Sequence, residues 1–117
     1  MTTARAQTVL VVDDDESMRM LCRVNLELEG YRVLEAPTVD RAQELLRQDA
    51  VDVVLLDVHV GTGDGFSVLE HTVHERVALF SGSMEISDEH RARVDAVLTK
   101  PFTVGELSAT VAELAAV

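Results

Sequence analysis

Apolar residues along this chain fall into two alternating patterns. Five short runs, TVLVVD (8–13), RVLEA (32–36), VDVVLLD (51–57), VALFS (77–81) and DAVLTK (95–100), have the length and β-branched content of strands. Three of them are apolar on consecutive residues, the signature of strands buried on both faces of a parallel sheet. The stretches between them read as helices. Residues 16–29 place Met18, Leu21 and Leu28 near one face, and Gly30 follows as a stop. Residues 39–48 place Val39, Ala42 and Leu46 at helical spacing behind Thr38, a candidate N-cap. A less regular third helix is expected over 65–75 and a short polar fourth over 87–93. In TVGE (103–106), Thr103 stands three residues before Glu106, a capping-box spacing, and Leu107, Val111 and Leu114 then form a core-facing stripe.

Strand and helix alternate five times, which predicts an α/β fold with crossover helices on both faces of a doubly wound, five-stranded parallel sheet. The 117 residues are read as a single domain, 1–117, with 1–7 as a flexible lead and no linker, repeat or low-complexity segment. Net charge is −11, from 10 basic and 21 acidic residues, with no Lys/Arg cluster, which argues against direct nucleic-acid binding. Cys22 is the single cysteine, so no intrachain disulfide forms; it reads as a small packing residue, and the chain as cytoplasmic. MTTARAQ lacks the apolar stretch of a signal peptide, and no run approaches the ~20 apolar residues of a membrane helix. The four histidines show no zinc-ligand spacing.

In such sheets ligands bind beyond the carboxyl ends of the strands. There the sequence places Asp13-Asp14-Asp15 after the first run, Asp57 after the third, Ser81 after the fourth and Lys100 after the fifth. The second run ends in Glu35-Ala36 and looks chemically quiet. Two unit charges ~4 Å apart repel by about 4 kcal/mol at an effective dielectric of about 20, so gathered carboxylates need a counter-charge. Hard oxygen ligands suit Mg²⁺ or Mn²⁺. One aspartate, Asp15, is a candidate helix cap instead. A carboxylate can attack phosphorus to give an acyl phosphate, and a metal, an ammonium and a hydroxyl can neutralise the transferred oxygens.

With these residues in order, the chain resembles the receiver domains of two-component response regulators. VLVVDDDES resembles their acidic first turn, VVLLDVHVGTGDG the phosphoacceptor strand and loop, ALFSGS the Ser/Thr segment and LTKPF the Lys-Pro segment, while EGYRVLEA fits the entry to strand two. The resemblance covers essentially the whole chain. It implies a flavodoxin-like sheet of order 2-1-3-4-5. It implies phosphorylation of Asp57 by a histidine kinase, a phosphotransfer protein or a small phosphodonor, in bacterial signalling. Asp13, Asp14, Asp57 and the backbone carbonyl of His59 would hold Mg²⁺, Ser81 and Lys100 would hold the phosphoryl oxygens, and Lys100–Pro101 would be cis. The domain would act as a signalling module and not as an enzyme, while assisting its own phosphorylation and dephosphorylation. Its downstream partner and oligomeric state stay open.

The chain departs from that pattern in four places. Gly61 replaces the usual loop proline and Gly63 a frequent methionine, which predicts a more mobile loop. Val97 stands where the family carries a Tyr or Phe switch residue. The Ser81–Lys100 segment is shorter by roughly one helical turn, so the fourth helix should be stunted. His59 and Ser83, two residues beyond Asp57 and Ser81, flank the water path to the acyl phosphate and are candidate modulators of its lifetime. Two alternatives remain: a phosphate-independent interaction module, and a haloacid-dehalogenase-type phosphatase with Asp13 as nucleophile. The second leaves Asp57 without a role.

Overall fold

The computed structural model describes residues 6–61, 63–82 and 86–116. Residues 1–5 of the expected lead, and Ser83, lie outside them. Every run becomes a strand, and the three central ones, over 8–12, 53–57 and 76–81, are buried on both faces along nearly their whole length. The elements are β1 (Thr8–Val12), α1 (Glu16–Leu28), β2 (Arg32–Ala36), α2 (Val39–Gln48), β3 (Val53–Asp57), the two-residue strands β4 (His59–Val60) and β5 (Gly63–Asp64), a 3₁₀ helix (Gly65–His71), β6 (Arg76–Ser81), α3 (Asp88–Ala92), β7 (Ala96–Thr99) and α4 (Val104–Ala115). The main sheet has five strands in the order β2-β1-β3-β6-β7. All its pairings are parallel. That is the predicted 2-1-3-4-5 order, with β6 and β7 as fourth and fifth strands and five helical segments, the fourth of them short.

Alternate strand residues feed two cores. Leu10, Val12, Val54, Leu56, Val77 and Leu79 pack with Ala42 and Leu45 of α2 and Val68 and Leu69 of the 3₁₀ helix. Val9, Val11, Val53, Leu55, Ala78 and Phe80 pack with Cys22 and Leu26 of α1 and Leu107, Val111 and Leu114 of α4. Burying one Val or Leu side chain contributes about 1.5–3 kcal/mol, so Val53–Leu56 outweigh the penalty of ending β3 in a partly buried carboxylate.

The caps follow the sequence. Asp15 accepts from the Ser17 N–H at 2.9 Å, Thr38 from Arg41, and Thr103 and Glu106 form the reciprocal capping box.

Two local expectations are corrected. The core face of α1 is Met18, Cys22 and Leu26; Leu21 and Leu28 face solvent, Leu28 with 80% of its surface exposed. The helix is apolar on two sides, and spacing alone selected the neighbouring one. The third helix is 3₁₀ and stops at His71, capped by the Thr72 N–H on the Leu69 carbonyl; its first residue, Gly65, donates its N–H to the Val58 carbonyl at 3.0 Å. The glycine loop folds as the β4–β5 hairpin, with His59 opposite Asp64 and Val60 opposite Gly63, and Gly61 turns it with φ +60°.

The stunted α3 contributes no buried residue of its own. Ile86 and Val94 on its flanks pack on the core, and His90 stacks on Phe66 with ring centroids 3.7 Å apart and 5° between planes. Among the described residues no helix is long and apolar enough to cross a membrane.

Candidate functional site

Strand register builds the site. Val12 pairs with Leu56, so the next residues, Asp13 and Asp57, emerge side by side at the carboxyl edge of the sheet. Ser81 ends β6, one residue past the partner of Asp57, and lies opposite Thr99. The Lys100 N–H then donates to the Ser81 carbonyl at 2.8 Å, which locks the start of the Lys-Pro segment to β6. The Lys100–Pro101 bond is cis.

The side chains converge on Asp57. Its Oδ2 accepts from Lys100 Nζ at 3.0 Å, and its Oδ1 accepts from the His59 N–H at 3.1 Å. Lys100 Nζ stands 3.6 Å from Asp13 Oδ2. Asp13 is fully buried. Its Oδ1 accepts from the Asp15 N–H at 3.0 Å, whereas its Oδ2 has no hydrogen-bond partner. Asp14 is exposed on the rim, and carboxylate oxygens of Asp13, Asp14 and Asp57 lie within 4.8 Å of one another. Ser81 is buried beside them at the end of β6.

Burial pushes the Asp13 carboxyl up to about 6; the Asp15 N–H and Lys100 oppose the rise, and the Asp57 charge adds to it. Lys100 is held above its ordinary value: partial burial works against the ammonium, but the Asp57 hydrogen bond and the two carboxylates outweigh it. Burial, aided by the Asp13 charge, pushes the Cys22 thiol up to about 12, which makes it an inert packing residue.

A buried carboxylate oxygen with no donor, facing two further carboxylates and one ammonium, is under-neutralised. An oxygen-binding divalent cation fits that donor set. Asp15 stays out of the cluster as the α1 cap. Val97 is half-buried, packs on the core and pairs with Leu79.

Two features escaped the sequence reading. Gly65 is not a simple turn residue: a Cβ there would overlap the Asp57 carbonyl oxygen and come within 2.8 Å of the Val58 carbonyl oxygen. Only a glycine lets the loop return this closely beneath Asp57. The end of β2 is not quiet either. Glu35 binds Arg19 Nε at 3.1 Å and Arg23 at 3.0 Å, and the same Arg19 donates to the Asp13 carbonyl at 2.8 Å. The spacing of Arg19 and Arg23, one helical turn apart on α1, was the available signal.

The response regulator receiver domain model matches residues 9–112. The chain is 33% identical over 115 residues to the DNA-binding dual master transcriptional regulator RpaA of Synechocystis, covering 91% of this chain and 48% of that protein. It is 35% identical over 107 residues to the KDP operon transcriptional regulatory protein KdpE of Escherichia coli, covering 86% and 48% respectively. The chain thus spans about half the length of these curated relatives. In fold it matches the crystal structure of a CheY-like response regulator receiver domain protein from Methanospirillum hungatei, with a TM-score of 0.82, 24% identity and 93% of both chains covered. With a family match spanning nearly all of the sheet and its helices, the chain belongs to the response regulator receiver domain family.

Proposed function

We propose that residues 1–117 form one phosphoacceptor signalling domain in which Asp57 takes a phosphoryl group from a histidine kinase or phosphotransfer protein, with Mg²⁺ (or Mn²⁺) bound. The observation that carries this reading is Asp57 held between Lys100 and the His59 N–H, beside a buried Asp13 Oδ2 that, among the described residues, accepts no hydrogen bond. An Asp57 oxygen attacks phosphorus, the P–O bond forms as the donor's P–N bond breaks, and the leaving imidazole takes up a proton. Lys100 then shifts its ammonium to a phosphoryl oxygen, and the Ser81 hydroxyl donates to another. Asp13, Asp14, Asp57 and the His59 carbonyl would hold the metal. Bound there, it supplies charge neutralisation for the oxygens of the transferred group. Water later attacks phosphorus and releases phosphate and the free carboxylate.

His59 and Ser83 modulate that last step in this reading; the backbone of His59 is already fixed on Asp57. Val97 has no aromatic ring to move, so the phosphorylated state is read out by another route. The output is an altered contact with a downstream protein or onward transfer of the phosphoryl group, in the cytoplasm. No direct nucleic-acid contact is assigned to a chain of net charge −11. A phosphatase with Asp13 as nucleophile finds no support in a carboxyl that is fully buried and pushed up to about 6.

Intact-protein mass spectrometry after incubation with acetyl phosphate and Mg²⁺ tests the reading. Wild type should gain one phosphoryl group and Asp57→Ala none. A phosphoryl group retained by Asp57→Ala refutes the assignment. A folded, Mg²⁺-binding wild type that gains none from acetyl phosphate or from a panel of histidine kinases supports the phosphate-independent module instead.

A further inference from the structure

The acidic turn after β1 is held by a residue outside the carboxylate cluster. The Asp13 peptide is fixed on both sides: its N–H donates to the Ala36 carbonyl at 3.1 Å, and its carbonyl accepts from Arg19 NH1 at 2.8 Å. Arg19 is itself braced, because its Nε donates to Glu35 Oε1 at 3.1 Å and its side chain is only 14% exposed. Arg23 donates to the other Glu35 oxygen at 3.0 Å and, among the described residues, makes no hydrogen bond to Asp13. Glu35 shares its single charge between Arg19 and Arg23, and the Arg19 guanidinium meets the acidic turn at the Asp13 carbonyl, where it sets the peptide plane between Asp13 and Asp14 and with it the direction of both carboxylates.

We propose that Arg19, braced by Glu35, is a positioning residue that sets the divalent-cation affinity of the Asp13/Asp14/Asp57 pocket through the Asp13 carbonyl. This rests on the cation-binding reading given above. Groups that orient metal ligands from behind typically change affinity 10–100-fold when removed. A methionine at 19 keeps the apolar stem of Arg and removes both donor contacts. A lysine reaches one acceptor but cannot span two with a planar fork.

The test is calorimetric titration of the full chain with MgCl₂, beside urea unfolding without the ion and far-UV circular dichroism. Arg19→Met should bind Mg²⁺ at least tenfold more weakly, Arg19→Lys should recover part of the loss, and Glu35→Gln should fall between Arg19→Lys and wild type. Arg23→Met, which removes the more exposed partner of Glu35, should stay within about twofold of wild-type affinity. Wild-type affinity in Arg19→Met, or an equal loss in Arg23→Met, overturns the proposal. If Arg19→Met does not fold, Arg19→Lys and Glu35→Gln decide in the same way: wild-type affinity in both overturns it. A wild type that binds no Mg²⁺ overturns the pocket reading itself, and Asp14→Ala, expected to abolish binding, separates that failure from failure at Arg19.

Discussion

Asp13 carries the clearest conflict between folding and chemistry. Its carboxyl is pushed up to about 6 in the fold from an ordinary 3.8. Between those values the folded chain binds more protons than the unfolded one, so stability falls as pH rises from about 4 through about 6. At neutral pH in ion-free buffer the charged Asp13 carboxylate costs stability, chiefly through its burial. Asp13→Asn should therefore raise the ion-free thermal midpoint at pH 7.5, flatten its pH dependence and weaken Mg²⁺ binding; thermal unfolding across pH 4–8 with chelator checks all three. Gly65 makes the opposite case, of space instead of charge. A Cβ there meets the backbone oxygens of Asp57 and Val58, so the strand end or the hairpin must shift. Gly65→Ala should destabilise by about 1–3 kcal/mol, read by urea unfolding, and slow phosphorylation by acetyl phosphate. That Asp57, Asp14 and Lys100 would meet was legible in the sequence because Asp57 ends the apolar β3, while Asp14 and Lys100 lie just beyond the ends of β1 and β7. The need for Gly65 was not, since it arises from a contact between β3 and a loop that returns under it.

At the scale of elements, the strands and caps were legible and the phase and type of two helices were not. The runs 32–36 and 39–48, the second behind Thr38 as its N-cap, are the ranges that the structure gives to β2 and α2. On α1, Met20, Leu21, Val24 and Leu28 form an apolar face as strong as the buried one, and they are exposed. Burial goes to Cys22 because a small residue lets the helix sit close to the sheet, a tertiary preference that periodicity does not carry. The stunted α3 shows how far an element can depend on its neighbours. Isolated helices of this length are marginal in water, and α3 has Phe66, Ile86 and Val94 as its anchors. An aromatic stack is worth about 0.5–1.5 kcal/mol beyond its area. Phe66→Ala should therefore raise the open population of α3 by roughly two- to tenfold, since ~1.4 kcal/mol is tenfold. Hydrogen exchange followed by mass spectrometry should show faster exchange over 88–92 and unchanged protection of 53–57.

For the whole molecule the governing quantity is the excess of acid. A net charge of −11 on one small domain opposes its own compaction, and the opposition is concentrated where Asp13, Asp14 and Asp57 meet with one lysine between them. Monovalent salt screens the distributed part with a Debye length of about 10 Å at 0.1 M, but it acts little on a buried oxygen. A divalent cation held in the pocket would act on the concentrated part and would bind only the folded chain. At 100 times its dissociation constant such a ligand stabilises by ~2.7 kcal/mol, on the order of 10 °C in thermal midpoint for a domain of this size. The two contributions separate at matched ionic strength. Mg²⁺ should raise the midpoint of wild type well beyond the rise given by NaCl, and Asp14→Ala should keep the NaCl rise while losing most of the Mg²⁺ excess. Equal rises with the two salts in wild type would reduce the acid cluster to one more patch of a negatively charged surface. An Mg²⁺ excess retained by Asp14→Ala would move the ion away from the β1–α1 turn, and with it the basis for reading Asp57 as the group that the fold is built to phosphorylate.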